Sequence, residues 1–167
     1  RITADFVQKQ GGFLSYEDLA SFQPEWVEPI STNYRGFDVW ELPPNTQGLA
    51  TLQILNILEN FNLAELGLFS SEYIHLFIEA KKLAFADRAK FYSDPRFAEL
   101  PIETLLSKDY AAKRREEINL KKAALVDASG LPKHGDTIYL TTADENGNMV
   151  SLIQSNYSGM GSGMTPP

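Results

Sequence analysis

The sequence contains no cysteine. Disulfide stapling and thiol chemistry are therefore excluded, although cysteine usage alone leaves the compartment open. Histidine is scarce as well: His75 and His134 are the only two, too few for a histidine ligand cluster around a metal. No uninterrupted apolar run approaches the ~18 residues that a membrane-crossing helix requires. Cations are outnumbered, with 15 Lys and Arg against 22 Asp and Glu and a net charge of -7. That balance argues against nucleic acid as a partner. No internal repeat or low-complexity tract occurs. What is present is ordinary for a globular chain: 167 residues, 43% hydrophobic and 22% charged, enough for one domain with a sizeable core.

Arg1 to Phe6 reads as the tail of a helix already under way, so the chain is expected to come from the middle of a longer one. Gly11-Gly12 terminates that helix, and Ser15 with Asp18 has the form of a capping box for a short helix to about Phe22. Trp26 to Leu42 reads as strand, turn, strand, with Ile30 to Tyr34, Arg35-Gly36 and Phe37 to Leu42 as its parts. Pro43-Pro44 stops the second strand. Asn45 to Gly48 is read as the cap of a helix over Leu49 to Phe61 rather than as a substrate loop. Ser70-Ser71 opens a long helix to about Tyr92. Ile74, Phe77, Ile78 and Leu83 are expected to supply its apolar contacts, and Ala80 and Ala84 to allow close packing. Asp87 and Arg88 are read as members of a buried or half-buried ion-pair network, and His75 as structural or solvated. Two shorter helices follow, Ile102 to Leu106 and Lys108 to about Leu120, with Lys113 to Glu117 as a solvated face. Lys121 to His134 is turn-rich and reads as a mobile linker.

The most informative stretch is His134 to Gly163. Thr137 begins a strand-like run that continues through Ile138 to Ala143. Asp144-Glu145-Asn146-Gly147-Asn148 interrupts it, with Asn146-Gly147 as a two-residue hairpin signal. Met149 to Gln154 forms the returning run. Ser155-Asn156-Tyr157 and a glycine-rich loop with Gly161-Ser162-Gly163 follow. Folding this hairpin at its midpoint brings Thr137 and Ser155 together at one end of the sheet.

This ordered set resembles the start of the small subunit of gamma-glutamyltranspeptidases, which are N-terminal-nucleophile hydrolases made as one inactive precursor. The runs Glu79 to Arg88 and Ser93 to Phe97, and the Tyr34-Arg35-Gly36 strand with Pro43-Pro44, are similar to the large subunit of the same family. The resemblance implies an α+β fold, the four-layer αββα sandwich of these hydrolases. Residues 1–136 would be the C-terminal part of the large subunit and 137–167 the N-terminal part of the small one, both within one domain. It implies that Thr137 attacks the carbonyl of Asp136, cuts the chain there, and then serves as the catalytic nucleophile. Ser155 stands where the family has a threonine whose hydroxyl bonds the nucleophile. The residues that hold the donor carboxylate and amine, and the oxyanion-hole glycines, lie outside this chain in similar enzymes.

The implied substrates are γ-glutamyl compounds such as glutathione, with water, amino acids or peptides as acceptors. No metal or organic cofactor is implied. The implied partner is the rest of the precursor, as a large and small subunit heterodimer after cleavage. The implied location is periplasmic or secreted. Two positions here depart from the pattern. Tyr157 replaces an asparagine that contacts the donor, with Asn156 beside it as a substitute contact, and Ile138 replaces a small or hydroxyl residue. A related acylase acting on another side-chain amide, and an inactive relative kept for binding or structure, are the alternatives these departures leave open.

Overall fold

The computed structural model describes residues 1–125, 137–155 and 161–167, and of Thr137 the backbone alone. In chain order the elements are α1 (Ile2–Lys9), α2 (Tyr16–Ser21), β1 (Ile30–Tyr34), β2 (Phe37–Glu41), α3 (Gly48–Leu58), α4 (Leu63–Leu66), α5 (Ser71–Phe91), α6 (Ile102–Leu106), α7 (Lys108–Glu116), β3 (Thr137–Ala143) and β4 (Met149–Ser155). Helix and strand are mixed, as expected for an α+β chain. Two compact units are present, Arg1–Pro24 with Asp127–Pro167, and Glu25–Val126.

In the first unit, α1 stops at Gln10, and the Gly12 N–H returns to the Val7 carbonyl at 3.0 Å. The capping box of α2 is complete. Ser15 Oγ accepts from the Asp18 N–H at 3.1 Å, and Asp18 Oδ2 accepts from the Ser15 N–H at 2.8 Å. Each bond satisfies an amide that the first helical turn would leave unpaired. The same unit holds the antiparallel β3–β4 hairpin.

The second unit is built around α3. Eight of its eleven residues are buried, among them Leu49, Leu52, Ile57, Gln53 and Asn56. A helix buried on nearly every side is a core element rather than a surface one. It packs on α5, α6, α7 and both strands of the β1–β2 hairpin. Burying Leu49, Leu52 and Ile57 contributes about 1.5–3 kcal/mol each by the area rule. Helix α5 meets it through Leu76, Ala80 and Ala84, a stripe with four-residue spacing in which both alanines are fully buried. A larger side chain at Ala80 or Ala84 would push the helices apart, at about 1–3 kcal/mol. The alanines are thus as expected. Ile74, Phe77 and Ile78 are instead 43–44% exposed, because the narrow alanine seam turns them away from α3.

The start of α3 lies against the end of β2. A Cβ on Gly48 would stand 2.7 Å from Glu41 Cβ and 2.9 Å from the Leu42 carbonyl oxygen, so only glycine fits. Helix α3 ends at Leu58, three residues short of the expected Phe61, and the short α4 was not foreseen. The β1–β2 turn places Arg35 at φ 53° and Gly36 at φ 90°. A left-handed arginine is unusual. Here its N–H donates to Glu59 Oε1 at 2.8 Å and its Nη2 to the Phe61 carbonyl at 2.7 Å, which ties the turn to the end of α3. No helix among the described residues is long and apolar enough to cross a membrane.

Candidate functional site

The β3–β4 ladder runs Thr137 opposite Ser155, Tyr139 opposite Ile153, and Ala143 opposite Met149. Directly opposed residues in such a ladder have Cα atoms about 4.5–5.5 Å apart. The hairpin loop is wider than the Asn146-Gly147 pair suggests. Five residues, 144–148, lie outside the strands, and the Asp144 side chain organises them. Its Oδ1 accepts from the Asn146 and Asn148 N–H groups, both at 2.9 Å, and its Oδ2 from Asn148 Nδ2 at 2.7 Å. These bonds, led by that of the Asn148 side chain, hold the Asp144 carboxyl below its ordinary pKa. An aspartate that satisfies the loop backbone defeats the two-residue turn. The consequence is positional, because loop length sets which residues face each other at the far end of the hairpin. Along the strands Tyr139 and Ser151 share a 2.6 Å hydrogen bond. Every residue of β4 is exposed, as are residues 138–143 of β3.

Asp136, Asn156, Tyr157, the side chain of Thr137 and most of the linker up to His134 lie outside the described residues. Gly161 and Gly163 are described, at φ 65° and 68°, a left-handed backbone that suits the glycine loop after Ser155.

In the second unit a buried polar cluster joins α3, α5 and α7. Asp87 is 5% exposed. Gln53 Nε2 donates to its Oδ2 at 2.9 Å, while Tyr110 OH at 2.9 Å and Arg114 Nη2 at 3.1 Å donate to its Oδ1. Tyr92 OH donates to Gln53 Oε1 at 2.5 Å. Burial, with the Asp87 charge next, pushes the Tyr92 phenol well above its ordinary pKa, and burial followed by the hydrogen bond to Asp87 and its charge raises Tyr110. The network reading of Asp87 holds, but its cationic partner is Arg114, not Arg88. Arg114 was expected on a solvated face. Its side chain is only 15% exposed, because α7 packs on α3 with this residue turned toward α5. It also reaches the Leu83 carbonyl at 2.9 Å and Glu117 at 2.8 Å, while its Nε has no partner among the described residues.

Arg88 instead bonds the Gln47 side chain and lies 4.5 Å over the Phe85 ring. With Asn45, Gln47, Ala89 and Tyr92 it lines an open depression of about 360 Å³. Capping of α3 falls to Thr46, whose Oγ1 accepts from the Gly48 N–H at 3.4 Å and donates toward the Leu42 and Pro43 carbonyls. Gln47, at the cap position itself, makes no such bond. His75 is structural, its Nε2 donating to the Asn119 carbonyl at 2.8 Å. No group of three or more metal-ligating side chains is gathered among the described residues.

The sequence model of the gamma-glutamyltranspeptidase family matches residues 2–167. The glutathione hydrolase-like YwrD proenzyme of Bacillus subtilis (strain 168) is 40% identical over 159 residues, which cover 95% of this chain and 30% of that protein. The acylase ACY 1 proenzyme of Pseudomonas sp. (strain SE83) is 39% identical over 158 residues, covering 93% of this chain and 28% of that one. Among solved structures, the cephalosporin acylase from Bacillus halodurans superimposes with a TM-score of 0.80 at 48% identity, over 98% of this chain and 29% of its own. The chain thus spans under a third of the length of these relatives.

Proposed function

The chain belongs to the gamma-glutamyltranspeptidase family, and from that premise we propose that Thr137 is the nucleophile of a self-cleaving γ-glutamyl hydrolase and transferase. The observation that carries this reading is the register pair Thr137 and Ser155 at the open end of the β3–β4 hairpin. It sets a threonine at the head of one strand against a hydroxyl residue at the end of the next, the arrangement the family resemblance implies. In this reading 137–167 begin the small subunit, 1–136 end the large one, and both contribute to an αββα sandwich completed by the remainder of the full-length protein. Export to the periplasm or medium belongs to the same reading.

A threonine hydroxyl inside a chain lacks a base. In the precursor, Thr137 Oγ adds to the Asp136 carbonyl carbon and gives up its proton. The adduct collapses by breaking the C–N bond, the nitrogen takes a proton, and Asp136 is left as an ester on Thr137. Water hydrolyses the ester, which yields the Asp136 carboxylate, the hydroxyl and a free α-amine. That amine, with an ordinary pKa of about 8, then serves as the base for the adjacent hydroxyl. The hydroxyl attacks the donor amide carbonyl, the proton passes to the departing amine, and an acyl ester remains. Water resolves it in hydrolysis, and the amine of an amino acid or peptide resolves it in transfer. Ser155 is proposed to hydrogen-bond the nucleophile, and Tyr157 and Asn156 to contact the donor.

A second reading concerns the acyl group alone. The acylases among the relatives, together with Tyr157 in place of the family's asparagine, favour a donor other than γ-glutamyl amide. Steady-state kinetics on the full-length, cleaved protein decide between them. A higher kcat/KM for γ-glutamyl anilide or glutathione than for an N-acyl cephalosporin supports the first reading, and the reverse order the second. Turnover of either donor by a Thr137→Ala variant would overturn both.

A further inference from the structure

We propose that Ser151 is a positioning residue: by holding the Tyr139 phenol toward the loop of the β3–β4 hairpin, it keeps that phenol off Ser155. The inference rests on the reading that Thr137 is the nucleophile and Ser155 its hydrogen-bonding partner. Tyr139 lies opposite Ile153 in the ladder. Its two diagonal neighbours on β4 are therefore Ser151 and Ser155, both of them serines. Alternate residues of a strand share a face. The Tyr139–Ser151 hydrogen bond puts those two side chains on one face, and Ser155, four residues further on, belongs to the same face. The tyrosine thus stands between two serine hydroxyls, Ser151 on the loop side and Ser155 at the open end.

Either serine is within the range of this side chain. Diagonal neighbours in an antiparallel pair stand about 7–8 Å apart, a span that aromatic side chains bridge. Two χ1 rotamers are common in strands, and side chains there lean along the strand. The two choices nevertheless exclude each other. Four residues at about 3.3 Å each set Ser151 and Ser155 about 13 Å apart along β4. A phenol at hydrogen-bond distance from one is out of reach of the other. In the structure the phenol is with Ser151, at 2.6 Å.

The choice matters because a phenol on Ser155 would compete for the hydroxyl that serves Thr137, and would bring a bulky ring beside the pair. Ser151 touches no reacting atom in this account and acts through Tyr139. Its loss removes no catalytic group; it releases one that interferes. The competition is between neutral hydrogen bonds of the same kind. The expected effect is therefore the worth of one such bond, about two- to tenfold in rate.

The test is kinetic and uses the full-length, cleaved protein, with rates taken per mole of Thr137 amino terminus on whichever donor the parent prefers. Ser151→Ala is made in the parent and again on a Tyr139→Phe background. In the parent it is expected to lower kcat about two- to tenfold, with a smaller change in KM. On the Tyr139→Phe background the same substitution is expected to leave kcat where Tyr139→Phe alone has it, because no phenol is there to move. Ser151→Thr keeps the hydroxyl and is expected to hold the parent's kcat. A parent-like kcat in Ser151→Ala, or an equal fall on both backgrounds, overturns this inference and leaves the Thr137 reading standing. A parent that is never cut, or that once cut turns over neither a γ-glutamyl nor an N-acyl donor, overturns the reading of function itself, and this inference with it.

Discussion

Thr137 and Ser155 are opposite partners in an antiparallel ladder, with the whole of the β3–β4 hairpin between them. The relationship depends on the loop at the other end. The five-residue loop closed by Asp144 sets the pairing of Ala143 with Met149, and six further steps along each strand bring the two hydroxyl residues level. A one-residue slip would break that alignment and move every side chain to the other face.

If Ser155 serves the nucleophile, its loss must show in turnover rather than in binding. Ser155→Ala in the full-length, cleaved protein is expected to lower kcat roughly ten- to hundredfold, the range of one hydrogen bond to a group that gains charge, while KM changes less. Steady-state kinetics on the preferred donor check this. An unchanged kcat removes Ser155 from the site.

The Asp87–Arg114 pair makes a separate prediction for stability. Both side chains are largely buried, at 7% and 15% exposure. Removing one partner strands the other charge, so Asp87→Ala is expected to destabilise the full-length protein by about 3–5 kcal/mol. Asp87→Leu combined with Arg114→Met is expected to cost much less than the single change, because no unpaired ion remains. Urea unfolding of the three forms measures the difference. Equal costs for the single and double variants would contradict the pairing.

Acid should weaken the same unit in a defined window. Burial works to raise the Glu79 pKa, but the Lys82 and Ala124 hydrogen bonds outweigh it, and the net shift is downward from 4.5. Glu59 is lowered as well, chiefly by its hydrogen bond to Lys108 at 2.6 Å, with the Arg35 N–H assisting. A carboxyl whose folded pKa is depressed binds fewer protons folded than unfolded. Its contribution is therefore complete above its unfolded pKa and is lost as pH falls through the folded one. The urea midpoint of the full-length protein should fall as pH drops below about 4.5, the unshifted value of these carboxyls. A Glu79→Gln, Glu59→Gln variant should show a shallower fall. A slope identical to the parent's would contradict this account of the two carboxylates.

How much of this was legible in the sequence depended on range. The capping box at Ser15, the stop at Gly11-Gly12 and the strand pairs around Arg35-Gly36 rest on residues a few positions apart, where local rules decide the structure. The opposition of Thr137 and Ser155 was also legible, since hairpin spacing counts it out. The partner of Asp87 was not. Arg114 lies in a run of charges that reads as solvated, and only the packing of α7 on α3 buries it. The apolar face of α5 was misjudged for a similar reason. Ile74, Phe77 and Ile78 look like core by hydrophobicity, yet the fit against α3 is made by Ala80 and Ala84, whose small size permits close approach. Glu79 and Lys82 showed an ordinary helical charge spacing, and nothing in the sequence pointed to Ala124 as their target.

The central claim, that Thr137 becomes an amino terminus and acts as nucleophile, is tested most directly by the intact mass of the full-length protein with N-terminal sequencing of any smaller piece. Two pieces are expected, the smaller beginning at Thr137, and a single uncut chain in the Thr137→Ala form. A folded parent protein that remains one uncut chain would contradict the account.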